Sequence, residues 1–204
     1  HYLDLGPDFL TMQKYVSRVV SDRRHVPELR KQERQPECTK EGHIADYLKV
    51  GDTLLVQVTK EPINSKGPRV TAEISITGRN FVLMPLMDKV LVSNKIKRES
   101  ERGRLKQLVQ SIKPQGFGVI VRTVAEDKRV AELDNELRLL VKRWDDCIHT
   151  LQHKEPVSLI SEELGRTIGL IRDVFSPDFE SIYVNDKATF EEISQYIELI
   201  APEA

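Results

Sequence analysis

Two short stretches of the chain carry side chains suited to binding an anionic oxygen. Arg122 and Thr123 follow an apolar run, residues 117–121, where a buried strand would emerge from the core. A guanidinium offers a charge-assisted fork to an anion, and a threonine hydroxyl adds a donor. Earlier in the chain, Gly78 lies in a Thr-Gly-Arg-Asn turn, where the missing Cβ atom permits close approach to the backbone. These residues predict an anion-binding site between two strands.

The same residues have a plainer interpretation. Arg122 is also typical of an arginine that extends from a strand end into solvent, because most arginines lie on protein surfaces. Thr123 is also typical of a residue placed there for its strand propensity. The residue types alone leave both interpretations open.

The composition is that of a globular protein with much charged surface. Of 204 residues, 39% are hydrophobic and 31% are charged, which suits one large domain or two to three small ones. We find neither an apolar run long enough to span a membrane nor a signal peptide pattern. Because position 1 is His, we expect a fragment or a processed form. Cys38 and Cys147 belong to no Cys-x-x-Cys pair, which predicts reduced thiols and a cytoplasmic location.

Charge is distributed unevenly along the chain, whose formal net charge is −1. Residues 89–106 hold seven basic and two acidic side chains, a net charge of +5. Residues 155–204 hold eleven acidic and three basic side chains, a net charge of −8. A nucleic-acid partner is therefore expected to meet the middle of the chain. The basic run is equally typical of the solvated face of a helix.

Hydrophobic periodicity predicts an α+β fold. Apolar residues at spacings of three and four predict helices, beginning near Phe9 and over residues 100–113 and 127–151. Short β-rich runs bounded by turn residues predict strands over residues 53–60, 70–76, 81–86 and 117–121. The first two of these strands are expected to pair as a hairpin. Residues 21–44 show no sustained period and are predicted to be a loop.

The composition changes at Pro156. Apolar runs at residues 157–160 and 181–184 predict two strands. A stripe of apolar residues over 164–175 predicts a helix between them, and Thr189 is typical of the cap of a final helix. The tail is therefore predicted to be a βαβα unit.

The stretches around the predicted anion site resemble the 5′-sensor region of the ribonuclease E/G family of endoribonucleases. The resemblance rests on TGRNFVLMP at residues 77–85 and VIVRT at residues 119–123. The preceding hairpin, with its Lys-Gly loop, resembles the later half of that family's OB-fold domain. The tail resembles part of its ribonuclease H-like subdomain.

The resemblance implies three parts in the α+β chain. These are a partial OB-fold β-barrel over residues 1–72, an α/β 5′-sensor domain over residues 73–154, and a partial ribonuclease H-like tail over residues 155–204. An OB-fold needs about five strands, so we expect the front of the barrel to be missing from this chain.

The resemblance also implies roles for individual residues. Arg122 and Thr123 are expected to hold the 5′-terminal monophosphate of RNA, and Gly78 and Val82 are expected to line the same pocket through their backbone. Lys66 matches an RNA-contacting lysine of the OB-fold, although a solvated loop lysine explains it equally well. A terminal phosphate gives an arginine two oxygens to bridge, which favours recognition of the 5′ end.

The implied function is the RNA-binding, 5′-monophosphate-sensing portion of a bacterial endoribonuclease that acts in RNA processing and decay. The implied partner is single-stranded RNA with a 5′-monophosphate, and the parent protein is expected to be a homo-oligomer. Its cleavage is expected to use magnesium in a later domain, with zinc shared between protomers in its assembly. We expect no catalytic or metal-binding residue on this chain, because His149 and His153 lack the glutamate of a His-Glu-x-x-His motif.

The sequence also departs from the family pattern. Residues 86–92 lack the glycines common in relatives, and Asp88 among them would repel phosphate if it pointed into the pocket. Asn94 and Lys95 stand where some members have two arginines. Two alternatives therefore remain: a structural or protein-interaction module with a decayed phosphate pocket, and an enzyme in its own right.

Overall fold

A computed structural model describes residues 1–39, 41–163, 165–175 and 179–200. The chain divides into two compact units, residues 1–160 and residues 161–204. The proposed boundaries at residues 72/73 and 154/155 stay a prediction. The described residues form a mixed α+β structure, as predicted.

The larger unit is organised around a four-stranded sheet. In chain order its strands are β3 (Ile76–Thr77), β4 (Phe81–Pro85), β5 (Val90–Val92) and β6 (Phe117–Val121), and they are arranged β3-β4-β6-β5. β4 is antiparallel to β3 and β6, whereas β5 is parallel to β6. The strands predicted at residues 81–86 and 117–121 are confirmed.

Successive side chains of a strand point to opposite faces of the sheet, and the two faces of this sheet differ in burial. Phe81 and Leu83 pair with Val121 and Val119, and all four side chains are buried. The neighbouring pair, Val82 and Ile120, lies on the opposite face and is half-buried. The sheet therefore has one face packed in the core and one face that stays partly open.

Three helices, α1 (Phe9–Ser21), α2 (Glu99–Ile112) and α3 (Val130–His153), bury their apolar stripes in the same core. α3 packs against α1, β3 and β4, and α2 packs against β5 and β6. The single tryptophan, Trp144, stacks on Tyr15 of α1 and meets Phe117 of β6 edge to face, each with ring centroids 6.3 Å apart. The helices predicted at residues 100–113 and 127–151 are confirmed with shifts of one to three residues at their ends.

A second, two-stranded sheet precedes the first. β1 (Gln57–Lys60) and β2 (Arg69–Thr71) pair in antiparallel register, which confirms the predicted hairpin. The strands are shorter than predicted: residues 53–56 have no ladder partner in the described part of the chain, and residues 72–75 cross from one sheet to the other. The described residues form no closed barrel, so the OB-fold stays a prediction.

In the segment predicted to be a loop, residues 21–44, Ser21 ends α1, and described residues 22–39 and 41–44 are irregular apart from two short 3-10 turns, Leu29–Lys31 and the start of Ile44–Asp46. It is nevertheless attached to α1. Leu29 is buried in the core, and the Gln35 N–H donates to Thr11 Oγ1 at 3.0 Å. Its basic residues are partly used in surface ion pairs, as between Arg34 and Asp8.

The smaller unit contains two helices, α4 (Arg166–Val174) and α5 (Lys187–Ile200), which pack through Ile168, Ile171 and Ile193. The strands predicted at residues 157–160 and 181–184 are wrong, since neither stretch has a partner strand among the described residues and a strand requires one. The predicted cap is also wrong. The helix begins at Lys187, and the Asp186 carboxylate accepts the Thr189 N–H at 2.8 Å, as an N-cap does. Leu164 of the predicted stripe lies outside the described residues.

The ribonuclease H-like tail therefore stays a prediction.

Within the described part of the chain, none of the helices combines the length and the apolar character that crossing a lipid bilayer requires.

Candidate functional site

The turn between β3 and β4 is closed by a hydrogen bond from the Gly78 N–H to the Phe81 carbonyl oxygen at 2.8 Å. Three residues, Gly78, Arg79 and Asn80, connect the strands. A Cβ atom at position 78 would overlap Glu136 Oε1 on α3 and lie 3.1 Å from Leu140 Cδ1. Gly78 therefore leaves space for the Glu136 carboxylate and for Leu140 of α3 beside this turn, a reason different from the ligand approach predicted from the sequence.

Arg122 lies against the same turn. Its backbone N–H donates to the Asn80 carbonyl oxygen at 2.8 Å. Its guanidinium Nη1 donates to the carbonyl oxygens of Gly78 and Arg79, at 2.8 and 3.3 Å. The guanidinium thus points toward Gly78, and the two stretches that the sequence singled out meet in space.

The two remaining residues lie beside these contacts. Thr123 follows Arg122 directly, and its hydroxyl lies 3.0 Å from the Ser93 hydroxyl in the loop after β5. Val82 is half-buried on the open face of the sheet, paired with Thr77 and Ile120. We call Gly78, Val82, Arg122 and Thr123 the Arg122 site. It combines a fixed cation with a hydroxyl group at the edge of an open sheet face.

Lys66, the fifth predicted site residue, lies elsewhere. It is exposed in the loop between β1 and β2, where its backbone pairs with Ile63. That loop belongs to the two-stranded sheet, whereas the Arg122 site is built on the four-stranded sheet.

Asp88, which would oppose a phosphate if it faced the site, lies at the other end of β4. Its carboxylate accepts a hydrogen bond from Lys113 Nζ at 2.6 Å, and the hydrogen bond and charge of Lys113 lower the Asp88 pKa. Since β4 rises by about 3.3 Å per residue, roughly 13 Å of strand separates this pair from the Arg122 end. Asp88 therefore does not weaken the Arg122 site by direct contact.

The arginines of the basic segment, residues 89–106, stabilise the fold through ion pairs and hydrogen bonds within the chain. Arg98 pairs with Glu126 and Asp127, and Arg102 Nη1 donates to the Ser93 carbonyl oxygen at 2.8 Å. The lysines of this segment are exposed: Lys89, Lys95, Lys97 and Lys106. Contact of a nucleic acid with this segment stays a prediction, and these lysines are the side chains best placed to make it.

Arg104 joins the same network through Glu101, the one acidic side chain that is buried among the described residues. Arg104 donates to both Glu101 oxygens at 2.7 Å, and the Asp127 N–H donates to Glu101 Oε1 at 2.9 Å. The Arg104 hydrogen bonds, helped by that of Asp127 and opposed by burial, lower the Glu101 pKa from its usual 4.5 to about 2.

Glu101→Gln should therefore make the free energy of unfolding less dependent on pH. Because the folded-state pKa is depressed, the carboxylate stabilises the fold fully above pH 4.5, and this contribution is lost as the pH falls toward about 2. We expect the variant to be less stable than the wild type by about 1–3 kcal/mol at pH 7, and the difference to disappear near pH 2. Urea unfolding at pH 7, 4 and 2 measures it. Glu132→Gln, which changes an exposed carboxylate on α3, is the control, and an undiminished difference at pH 2 would contradict the assignment.

The Ribonuclease E/G family matches residues 75–204, a range that contains the whole Arg122 site and excludes Lys66. This chain belongs to the ribonuclease E/G family. It is 36% identical over 155 residues to Ribonuclease E of Nostoc sp., covering 76% of this chain and 23% of that protein. It is 31% identical over 160 residues to Ribonuclease G of Haemophilus influenzae, covering 78% of this chain and 33% of that protein. A Ribonuclease E/G-like chloroplastic protein of Arabidopsis thaliana is 32% identical over 166 residues, covering 76% of this chain and 16% of that protein.

This ribonuclease E/G family chain thus spans at most about a third of the length of these relatives. Within its described residues, no three His, Cys, Asp or Glu side chains lie together as metal ligands. His149 and His153 are both exposed on α3, and Cys38 and Cys147 are free thiols.

Two residues next to the Arg122 site were not predicted from the sequence. Ser93 contacts Thr123 through its hydroxyl. Glu136 accepts hydrogen bonds from the turn that holds Arg122. The only sign of Glu136 in the sequence was a carboxylate beside the apolar stripe of α3, between Leu133 and Leu137.

Proposed function

We propose that this ribonuclease E/G family chain binds RNA and senses a 5′-terminal monophosphate through the Arg122 site. The observation that supports the proposal is the orientation of Arg122. Two carbonyl oxygens of the β3–β4 turn hold its guanidinium, and the adjacent Thr123 hydroxyl supplies a second donor type. A terminal phosphate matches this arrangement because it offers more charge and more oxygens than an internal diester.

The parent protein, in this proposal, is a cytoplasmic, homo-oligomeric endoribonuclease of RNA processing and decay. The relatives named Ribonuclease E and Ribonuclease G support this role for the parent. RNA recognition is assigned to this chain and cleavage to other parts of the parent, together with the magnesium of catalysis and the zinc of assembly. The chain alone is therefore expected to bind RNA and to leave it uncut.

The test compares two RNA oligonucleotides of the same sequence, one with a 5′-phosphate and one with a 5′-hydroxyl. We expect the wild type to bind the phosphorylated end more tightly and Arg122→Ala to reduce this preference by about tenfold or more, since a hydrogen bond to a charged group is worth about 1.5–3 kcal/mol. Arg122→Lys should restore only part of it, because a lysine keeps the charge and loses the fork. Fluorescence anisotropy at fixed salt measures each affinity.

Arg30→Ala is the matched control for the loss of one positive charge. The Arg30 backbone lies beside Gly116, at the start of β6 and away from Arg122, and its side chain is exposed. This variant should weaken binding of both oligonucleotides equally, through the general charge term. Equal binding of both ends by the wild type would refute 5′-end sensing and favour a structural or protein-interaction module.

A further inference from the structure

We propose that Glu136 of α3 is a positioning residue for the 5′-phosphate at the Arg122 site, acting through the peptide groups of the β3–β4 turn. This inference rests on the proposed function above. Glu136 Oε1 accepts the Asn80 N–H at 2.8 Å and the Phe81 N–H at 3.3 Å. Its Oε2 accepts a hydrogen bond from Asn80 Nδ2. One carboxylate thus binds three donors of a single turn.

Arg122 contacts the other ends of the same two peptide groups. The Arg79–Asn80 peptide gives its carbonyl oxygen to Arg122 Nη1 and its N–H to Glu136. The Asn80–Phe81 peptide accepts from the Arg122 N–H at 2.8 Å through its carbonyl oxygen, and it also donates its N–H to Glu136. In a trans peptide these two groups point in opposite directions. Two peptide groups therefore lie between the carboxylate of Glu136 and Arg122.

This arrangement couples the two charged side chains without direct contact between them. Hydrogen bonds in a chain polarise one another, so the carboxylate strengthens the Arg79 carbonyl oxygen, which accepts from the guanidinium, and the Asn80 carbonyl oxygen, which accepts from the Arg122 N–H. It also fixes the plane of each peptide group. If the carboxylate is removed, both peptide groups can rotate, and the guanidinium keeps the Gly78 carbonyl oxygen as its one fixed acceptor of the two.

Asn80 shows how closely the turn is fitted to Glu136. Its side chain is buried, and its Oδ1 has no hydrogen-bond donor among the described residues. Asn80 thus donates its side-chain N–H to Glu136, and its side-chain oxygen, Oδ1, accepts no hydrogen bond from the described residues. Among the described residues, the Glu136 carboxylate is the acceptor toward which this buried amide is oriented.

The experiment measures the affinity of the 204-residue chain for the 5′-phosphate and 5′-hydroxyl oligonucleotides in three variants. Glu136→Ala should lower the preference for the phosphate by about fivefold to tenfold and leave binding of the 5′-hydroxyl RNA unchanged. Glu136→Gln should retain about half of the preference, because its oxygen still accepts from the turn and its amide can donate to Asn80 Oδ1 after the Asn80 amide rotates. Asp134→Ala removes a carboxylate that pairs with Arg138 on the same helix and should leave the preference unchanged.

A purely structural role for Glu136 predicts a different pattern. Partial unfolding would weaken binding of both oligonucleotides together, and circular dichroism of each variant would detect it. If the wild type and Glu136→Ala prefer the phosphate equally while Arg122→Ala does not, the positioning role is refuted and the proposed function stands. If the wild type shows no preference, the proposed function fails and this inference fails with it.

Discussion

Gly78→Ala is expected to destabilise the larger unit by about 1–3 kcal/mol, the usual cost of an added methyl group in a filled space. The new Cβ atom would overlap Glu136 Oε1 and press on Leu140 Cδ1 at 3.1 Å. Gly78 has no positive φ, so the cost is steric and arises from contact with α3. The Glu136 carboxylate must therefore move away from the turn. Because that carboxylate accepts the Asn80 and Phe81 N–H groups, the turn loses these hydrogen bonds, and the proposed 5′-phosphate preference should fall with stability.

Gly103→Ala is the matched control. Gly103 lies inside α2, where an added Cβ atom meets nothing within 4 Å. Alanine is favoured over glycine in a helix by about 1 kcal/mol, so this variant should be more stable than the wild type and keep its RNA preference. Urea unfolding followed by circular dichroism measures both variants. A Gly78→Ala protein with wild-type stability and preference would contradict the close fit between the turn and α3.

Trp144→Ala is expected to destabilise the larger unit by about 3–5 kcal/mol, the range for removing a large aromatic side chain from a core. Trp144 is 2% exposed. It joins three elements, because it lies on α3, stacks on Tyr15 of α1 and contacts Phe117 of β6. Removing it leaves a cavity between them and should lower the midpoint of urea unfolding sharply.

Leu139→Ala serves as the control for Trp144→Ala. Leu139 lies on the exposed side of the same helix, with 47% of its surface accessible, and its replacement should change stability by less than about 0.5 kcal/mol. Circular dichroism is the right probe, because Trp144 is the only tryptophan in the chain and its fluorescence disappears in the variant. Similar losses in the two variants would contradict the proposed central position of Trp144.

The part of the fold that local pattern specifies was predictable. The stripe of α3 and the strand at residues 117–121 follow from periodicity, because both are buried on one side or throughout. The pairing of Arg122 with Gly78 was also anticipated, but from the family resemblance of their motifs. Neither residue type alone indicates which distant residue it will contact.

The features that could not be predicted depend on contacts with residues that are distant in the sequence or on the backbone conformation, and a local sequence pattern specifies neither. The apolar runs at residues 157–160 and 181–184 have the composition of strands, yet a strand forms only beside another strand. Asp186 caps α5 instead of Thr189 because both residues favour caps and the backbone decides between them. Glu136 was missed because a carboxylate on a helix is usually solvated, and only tertiary packing brings it to the turn.

The antiparallel pairing of β6 with β4 brings Arg122 to the β3–β4 turn, so the Arg122 site can form only after β6 has joined the sheet. The carbonyl oxygens that hold the guanidinium are 44 and 43 residues away from it along the chain, and the intervening segment includes all of β5 and α2. Closing so long a loop is an entropic cost that the hairpin turn cannot offset by itself. A nascent or partly unfolded chain can therefore form the β3–β4 hairpin early, but the Arg122 site, and with it the 5′-end binding proposed above, can form only once the segment through β5 and α2 has folded and β6 has paired with β4.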